Sequence, residues 1–398
     1  MHLAPTERQR ELRARLRAHF RTLMPQGPPD ADDPAAQRRV LRRMGAEGLL
    51  GLGWPVAHGG QGRGPDEQFV FFDEAYRAGA PVSMVTLNTV GPTLMRYGTE
   101  EQKAFFLPRI LSGDLVFAIG YSEPSAGTDL ASLRTRAVRD DATGDWLIEG
   151  QKIYTSNAQN ADWIWLACRT DPEAPKHRGI SIILVPTDAP GFSWTPIETV
   201  GGLTTTATYY DSIRVPGSNL VGEENGGWEL ITNQLNHERM ALAAIGMQAE
   251  DFYHQALAAA RTPDPVTGER RVDAPWIRSQ VAEAHARLAA TRLLNWRLVG
   301  SVGAGRPAPG EASGVKFAGT ESAVETYQMC QQIVGETGWL RRGSPGASGA
   351  GDGERACGDG ELERMNRAAQ INTFGGGVSE VQREIVATMR LGMKRGRR

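Results

Sequence analysis

The spacing of apolar residues changes twice along the chain, and these changes limit the possible folds more than any other feature. Helix-like spacing fills the first part, strand-like alternation replaces it near Leu115, and helix-like spacing returns after Glu223. Successive blocks of helix, strand and helix predict an α+β protein with separate α and β domains, not a doubly wound sheet. We therefore predict a helical domain over 1–114, a β domain over 115–223 and a helical bundle over 224–398.

The first block begins with a basic amphipathic helix. Thr6 can cap this helix, whose apolar face is formed by Leu12, Leu16 and Phe20 while five arginines lie mostly off that face. Such a helix could touch a membrane surface, but two glutamates dilute its charge and favour a solvated outer face. Further helices of this block are predicted at about 35–49, 65–79 and 99–112.

The composition argues against several classes of partner. Lys plus Arg (44) nearly balance Asp plus Glu (46), so nothing favours nucleic acid or an anionic membrane. The three cysteines show no CxxC spacing, which predicts no disulfide and no zinc site and indicates a reducing compartment. No apolar run approaches the roughly 20 residues needed to span a bilayer, and the N-terminus lacks the apolar core of a signal peptide. We expect a cytoplasmic protein with a small-molecule ligand.

Residues 117–157 carry the main indication of a binding site. A short apolar run enters a turn dense in Ser, Pro, Gly and Thr, whose small residues and exposed amides suit a phosphorylated ligand. Alternation around Trp146, Ile148, Ile153 and Tyr154 then predicts antiparallel strands of a barrel or sandwich. The same pattern also fits a plain surface hairpin. Neither Gly-x-Gly-x-x-Gly nor a P-loop motif occurs, so a Rossmann or P-loop site has no support.

The motifs GYSEPSAGTDLASLRTRA and GQKIYTSN resemble, in order and spacing, the flavin-contacting middle domain of the acyl-CoA dehydrogenase family. The likeness covers nearly the whole chain and points to the α subunits of mycobacterial heterotetrameric members that break down the cholesterol side chain. It implies an N-terminal helical domain, a middle β-barrel domain and a C-terminal four-helix bundle. It also implies FAD-dependent α,β-dehydrogenation of an acyl-CoA substrate, with electron-transfer flavoprotein as the acceptor.

The resemblance assigns FAD contacts to five residues of the middle domain. They are Tyr121, Ser122, Thr128, Tyr154 and Ser156. It places Tyr154 on a face of the flavin ring and Ser156 near flavin N5, where a hydroxyl donor favours the arrival of electrons. The strand pattern by itself instead favours packing of Tyr154 within the β domain.

The sequence NHERM, at 236–240, lies in a long helical pattern after the β domain. The helical periodicity alone favours a surface or interface salt bridge as the role of Glu238 and Arg239. Family members carry the base for the α proton either in this helix or in the loop before the last helix, and Gly376 occupies the loop position here. The resemblance therefore assigns the base to Glu238, where desolvation would make a carboxylate more basic. Asn236 and Arg239 match positions near the acyl-CoA.

The resemblance also implies a role for the backbone N–H of Gly376, which is to donate a hydrogen bond to the substrate. In relatives, the amide at this position donates to the thioester carbonyl, and a backbone donor survives the loss of a side chain. A zinc site is not supported, because HERMA lacks the second His of HExxH, and the absence of GxSxG leaves a hydrolase without a nucleophile.

The remaining helices are predicted at 273–296, with Asp273 as the cap, at about 312–338 and at about 379–391. Their apolar faces predict an antiparallel four-helix bundle. Residues 343–360 are rich in glycine, and we interpret them as a flexible surface insertion.

Homotetrameric relatives complete each FAD site with an Arg-x-x-Phe-Gly segment from a neighbouring subunit, which residues 261–280 lack. A phosphate-bearing cofactor then misses a strong charge-assisted contact. We expect a paralogous acyl-CoA dehydrogenase subunit to supply it in an α2β2 assembly with two FAD. The alternative is a homodimer or homotetramer that uses Arg270 or Arg271.

Two other functions remain open from the sequence. One is a flavin monooxygenase on the same fold, which has no need of an α-proton base such as Glu238. The other is a non-catalytic partner subunit, against which the retained carboxylate and the loop 121–128 argue.

Overall fold

The computed structural model describes residues 4–30, 33–234, 246–304, 309–345 and 359–394. Helices lie at both ends of the chain and one sheet lies between them, which confirms the predicted α+β fold. The N-terminal helices are α1 (Glu7–Leu23), α2 (Pro34–Ala46), α3 (Pro65–Arg77), α4 (Gly91–Tyr97) and α5 (Glu100–Leu111). A π-helix, Val85–Val90, leads into α4 and was not predicted.

The strands are β1 (Phe117–Gly120), β2 (Arg136–Arg139), β3 (Trp146–Lys152), β4 (Trp163–Arg169), β5 (Ile180–Pro186), β6 (Phe192–Glu198), β7 (Thr204–Val215) and β8 (Leu220–Val221). The C-terminal helices are α6 (227–234), α7 (Ala249–Arg261), α8 (Pro275–Gly303), α9 (Pro309–Val334), α10 (Glu361–Ala369) and α11 (Ser379–Ile385). The predicted residues Asn236, Glu238 and Arg239, and 346–358 of the predicted insertion, lie outside the described residues.

Helix α1 begins where its sequence predicts. Thr6 and Gln9 form a reciprocal capping box, and Leu12, Leu16 and Phe20 are buried. The arginines do not simply face water, however, because α3 carries three acids that are each about 2% exposed and need cationic partners. The pairs are Arg8–Glu67, Arg13–Asp73 and Arg17–Glu74, so the prediction of a solvated outer face is only partly right.

The eight strands form one sheet in the order β6-β7-β3-β2-β4-β5-β8, and β1 pairs with β4 in parallel. Strand β4 is buried on both faces, which explains its nearly continuous apolar sequence. Trp165 on one face packs into the core of the N-terminal helices, whereas Ile164 on the other packs with Trp146 and Tyr210 inside the β domain. The sheet is thereby fixed against the helical domain.

The C-terminal helices share a second core. The spacing in α8 predicts that Ile277, Val281, Ala284 and Leu288 face inward. Three of them are buried against α7 and α9, and Val281 is half-buried against the same core. Asp273 does not cap α8, because its carboxylate accepts two hydrogen bonds from Arg270 and the N-cap position is Ala274.

Two contacts join the helical ends and the sheet. Arg77 of α3, whose side chain is 7% exposed, lies 2.8 Å from Glu250 of α7. The tip of the β6–β7 hairpin, 199–203, lies against α10, where Arg367 donates to the Val200 carbonyl. The approach is so close that a Cβ built on Gly201 would lie 3.0 Å from Ala368 Cα. No helix in the described ranges is long and apolar enough to cross a bilayer.

Candidate active site

Tyr121 opens the predicted flavin loop directly after β1. Its hydroxyl donates to Gln234 Oε1 at the described end of α6 and accepts from Trp165 Nε1, 3.2 Å away on β4. Gln234 is only 1% exposed. Tyr121 therefore joins the sheet to the described end of α6, four positions before Glu238 in the sequence.

A buried ion pair lies beneath this loop. Lys152, which is fully buried, places Nζ 2.8 Å from Glu123 Oε1 and donates to the Tyr121 carbonyl at 3.1 Å. Glu123 also accepts from the backbone amides of Arg134 and Thr135, at 2.7 and 2.8 Å. Burial opposes ionisation of this carboxylate, but the Lys152 ammonium and the amide donors lower the pKa of Glu123 below its usual range. The pair fixes the backbone on which Tyr121 and Ser122 stand.

This ion pair was not predicted from the sequence, although a signal for it was present. The inward residues of β3 are Trp146, Ile148 and Lys152, so the alternation of the strand places a charged side chain in the core. A lysine at such a position requires a buried anionic partner.

Tyr154 and Ser156 stand on the second loop of the site, after β3. Tyr154 adopts a left-handed backbone conformation, φ 61°, and is 63% exposed, so the alternative in which it packs inside the β domain is wrong. A bulky residue at positive φ is uncommon and is often found at functional positions. Between them, Thr155 is buried and exchanges hydrogen bonds with Thr206, which holds both neighbours outward.

The remaining predicted flavin contacts, Ser122, Thr128 and Ser156, stand on these same two loops. The Ser122 carbonyl accepts from the Ile153 amide at 2.9 Å, so the two loops are joined edge to edge. The Ser156 hydroxyl is exposed and lies 3.2 Å from that of Thr205 on β7. Thr128 is also exposed and follows a tight turn closed by hydrogen bonds between Glu123 and Ala126.

These groups fit FAD. Tyr154 offers an exposed aromatic face to a ring system, Ser122, Thr128 and Ser156 offer hydroxyls, and no atom lies within 4 Å of a Cβ built on Gly127, so a ligand can approach the turn closely.

A third loop, 373–377, precedes α11. Gly376 and Gly377 have φ values of 66° and 99°, which glycine adopts without strain. Gln382 Nε2 donates to the Gly376 carbonyl at 2.9 Å, and Lys316 Nζ donates to the carbonyls of Thr373 and Gly377 at 3.1 and 2.8 Å. The loop is thus held from the protein interior.

Arg270 and Arg271, the alternative cations for the cofactor, are both engaged. Arg270 pairs with Asp273 at 2.8 Å. Arg271 donates to the carbonyls of Ile333 and Gln332 near the end of α9, at 2.8 and 3.1 Å. Within the described ranges, no three or more His, Cys, Asp and Glu side chains are grouped so that they could hold a metal ion.

Three family descriptions match the chain in order: acyl-CoA dehydrogenase N-terminal domain over 6–114, middle domain over 118–213 and C-terminal domain over 225–391. The fold and the site together thus define the class of protein as a flavoprotein dehydrogenase. The chain belongs to the acyl-CoA dehydrogenase family, and it is an FAD-dependent enzyme that dehydrogenates an acyl-CoA.

Several relatives match from end to end. Acyl-CoA dehydrogenase FadE26 of Mycobacterium tuberculosis is 47% identical over 412 residues, covering 100% of both chains. The solved structure "Tcur3481-Tcur3483 steroid ACAD" is 50% identical, with a TM-score of 0.90 and 100% of both chains covered. The ChsE4-ChsE5 complex from Mycobacterium tuberculosis is 47% identical, with a TM-score of 0.89 and the same coverage.

Proposed function

We propose that this chain is the catalytic subunit of a heteromeric acyl-CoA dehydrogenase whose substrate is the CoA thioester of a steroid side chain. The observation that carries the proposal is which residues occupy the family's two alternative base positions. The loop position has Gly376, which has no side chain, and the helix position has Glu238, which has a carboxylate. The steroid substrate is supported by the likeness, at 50% identity over the whole chain, to a structure described as a steroid ACAD.

The chemistry divides between the cofactor and the residues of this chain. Bound FAD supplies the two-electron acceptor that takes the hydride from the β carbon. Glu238 removes the α proton, and the two C–H bonds are replaced by one carbon–carbon double bond. Enclosure by the flavin and the acyl chain disfavours the charged carboxylate and makes it a stronger base. Tyr121, Ser122, Thr128, Tyr154 and Ser156 hold the cofactor, and Asn236 and Arg239 contact the substrate.

The α proton is acidic only if the thioester carbonyl is polarised, and the N–H of Gly376 is the proposed donor. Its peptide differs from its neighbours in the loop. The amides of Phe374 and Gly375 donate to Ile371, and the carbonyls of Thr373, Gly376 and Gly377 accept from side chains. Among the described hydrogen bonds, none uses the N–H of Gly376, which is consistent with a donor kept for a ligand.

A paralogous subunit completes the FAD site in this proposal. Arg270 is engaged by Asp273 in an exposed pair and Arg271 by the end of α9, so each would have to give up its present partner to serve as the missing cation. The name of one similar structure describes a complex of two chains, ChsE4 and ChsE5. We therefore favour α2β2 with two FAD over a homo-oligomer, and electron-transfer flavoprotein as the acceptor.

The test is to produce the chain alone and together with a paralogous acyl-CoA dehydrogenase chain from the same genome. We expect the pair to form a yellow α2β2 complex with two FAD, and the chain alone to hold little FAD. Anaerobic addition of a steroid side-chain acyl-CoA should bleach the flavin of the complex, with butyryl-CoA as the size control. A stable homo-oligomer with one FAD per chain and full activity would contradict the heteromer, and failure of every acyl-CoA to bleach the flavin would favour the monooxygenase or non-catalytic alternatives.

A further inference from the structure

Two buried polar side chains lie behind the loop 373–377. Lys316 of α9 is 1% exposed and Gln382 of α11 is 0% exposed. Lys316 donates to the carbonyls of Thr373 and Gly377, and Gln382 to those of Gly376 and Gly377. Burying an ammonium group is costly unless strong acceptors receive it, and here main-chain carbonyls of one loop are among those acceptors.

The sequence of the loop explains why it needs such anchors. Gly375, Gly376 and Gly377 have no side chains to pack, and glycine has more backbone freedom to lose than any other residue. Glycine also makes room for the anchor, because a Cβ built on Gly377 would lie 2.5 Å from Gln382 Nε2. The loop is therefore held by hydrogen bonds from Lys316 and Gln382 to its backbone carbonyls, because its glycines have no side chains of their own to pack.

The anchors lie on both sides of a single peptide. Lys316 fixes the carbonyl of Thr373 before it, and Gln382 fixes the carbonyl of Gly376 after it. The peptide between Gly375 and Gly376 carries the N–H that the proposed function assigns to the thioester carbonyl. Holding its neighbours limits rotation of this peptide without occupying its donor.

We propose that Lys316 and Gln382 are positioning residues, which keep the Gly376 N–H aimed at the thioester oxygen of the substrate. This inference rests on the proposed role of Gly376. Neither side chain touches the substrate in this scheme, and their effect is on the geometry of a donor that must be preorganised to be useful.

The experiment uses the FAD-loaded complex with the variants Lys316→Met and Gln382→Met, which keep length and remove the donors. Ser322→Ala is the matched control, because Ser322 is buried on α9 and its hydroxyl has no partner among the described residues. The probe is a 3-arylacryloyl-CoA, whose absorption moves to longer wavelength when its carbonyl accepts a strong hydrogen bond. We expect each Met variant to lose at least half of this shift while the control keeps it.

Kinetics provide the second readout. Removal of an oxyanion donor costs about 10²- to 10³-fold in kcat, so misaiming it should slow flavin reduction by about 10-fold or more. KM should change little, because the lost interaction belongs mainly to the transition state. A purely structural role would lower the melting temperature and active fraction without changing the spectrum of the bound probe.

The outcomes separate this inference from the function on which it rests. If the unaltered complex gives no shift, or Gly376→Pro leaves it intact, the Gly376 donor itself is wrong and the inference falls with it. If the unaltered complex gives the shift, Gly376→Pro abolishes it and both Met variants retain it, only the positioning role is overturned. Should Lys316→Met fail to fold, Gln382→Met decides, since it removes a neutral donor.

Discussion

Lys152 Nζ lies 2.8 Å from Glu123 Oε1, and both side chains are buried beneath the loop that begins at Tyr121. This relationship predicts that the loop beginning at Tyr121 is sensitive to acid. The folded protein holds the pKa of Glu123 below the unfolded value of about 4.3. The stability from this carboxylate is thus fully present above about pH 4.3 and is lost as the pH falls through the lower folded pKa.

Glu123→Gln should therefore destabilise the protein at pH 7 and flatten its loss of stability below about pH 4.5. Leaving the Lys152 ammonium unpaired costs about 3–5 kcal/mol, as for other buried pairs. Urea unfolding between pH 7 and 3 measures both effects. Glu149→Gln is the control, because its pair with Arg136 is more than half exposed and should be worth less than about 1 kcal/mol. An unchanged pH profile in Glu123→Gln would exclude this source of acid sensitivity.

Glu238→Gln should keep FAD and acyl-CoA binding but slow flavin reduction by about 10³-fold or more, because the amide cannot accept the α proton. Anaerobic stopped-flow bleaching of the flavin measures the effect. Glu229→Gln on α6 is the control, since this exposed carboxylate accepts from Tyr97 at the surface. Near-normal reduction in Glu238→Gln would disprove the assignment of the base.

Gly376→Glu in the Glu238→Gln background should restore part of the rate of flavin reduction, if both family positions reach the same α carbon.

Gly376→Pro should strongly slow flavin reduction, because proline has no N–H. The left-handed φ of 66° adds a second effect, since proline is confined to φ near −65° and would distort the loop. Gly376→Asn is the matched control, because asparagine tolerates the left-handed region and keeps the N–H. We expect Asn to retain at least about tenfold more activity than Pro, given the usual worth of one oxyanion donor. Equal rates in the two variants would argue against the donor.

Arg77→Met should destabilise the junction between the N-terminal helices and α7 by about 3–5 kcal/mol, because it leaves buried carboxylates without their cationic partner. The buried guanidinium pairs with Asp73, Glu250 and Asp251, and these carboxylates raise the pKa of Arg77 against the opposing effect of burial. Arg292→Met is the control, since Arg292 contacts the same Glu250 from a side chain that is 45% exposed. Thermal unfolding of both variants measures the difference, and similar melting temperatures would contradict the expectation.

The features that the sequence predicted correctly depend on local physics. Thr6 and Gln9 are three residues apart, so the capping box follows from their spacing alone. Spacing also predicts the inward face of α8 and the change from helix to strand, because burial of one face imposes its period on the residues. The turn of Ser, Pro, Gly and Thr at 122–128 is likewise a property of the residues in it.

The features that were missed depend on residues far apart in the chain. Lys152 finds Glu123 across 29 positions, and Lys316 finds Gly377 across 61. The cap at Asp273 failed for a different, local reason, since Arg270, three residues earlier, donates to its carboxylate. The π-helix before α4 includes Thr86, whose hydroxyl accepts from the Phe117 amide on β1, a contact that no helical pattern could predict.

The contact between the hairpin tip 199–203 and α10 has a consequence for chain length. From the tip, β7 continues within a few residues to Thr205, which meets Ser156, and α10 continues to the loop of Gly376. Surface turns ordinarily accept inserted residues. Here we expect one added or deleted residue to shift the Ser156 side of the site, proposed to contact the flavin, relative to the Gly376 amide, proposed to contact the thioester, and so to slow flavin reduction. The length of this turn should therefore be as restricted as the identity of a catalytic side chain.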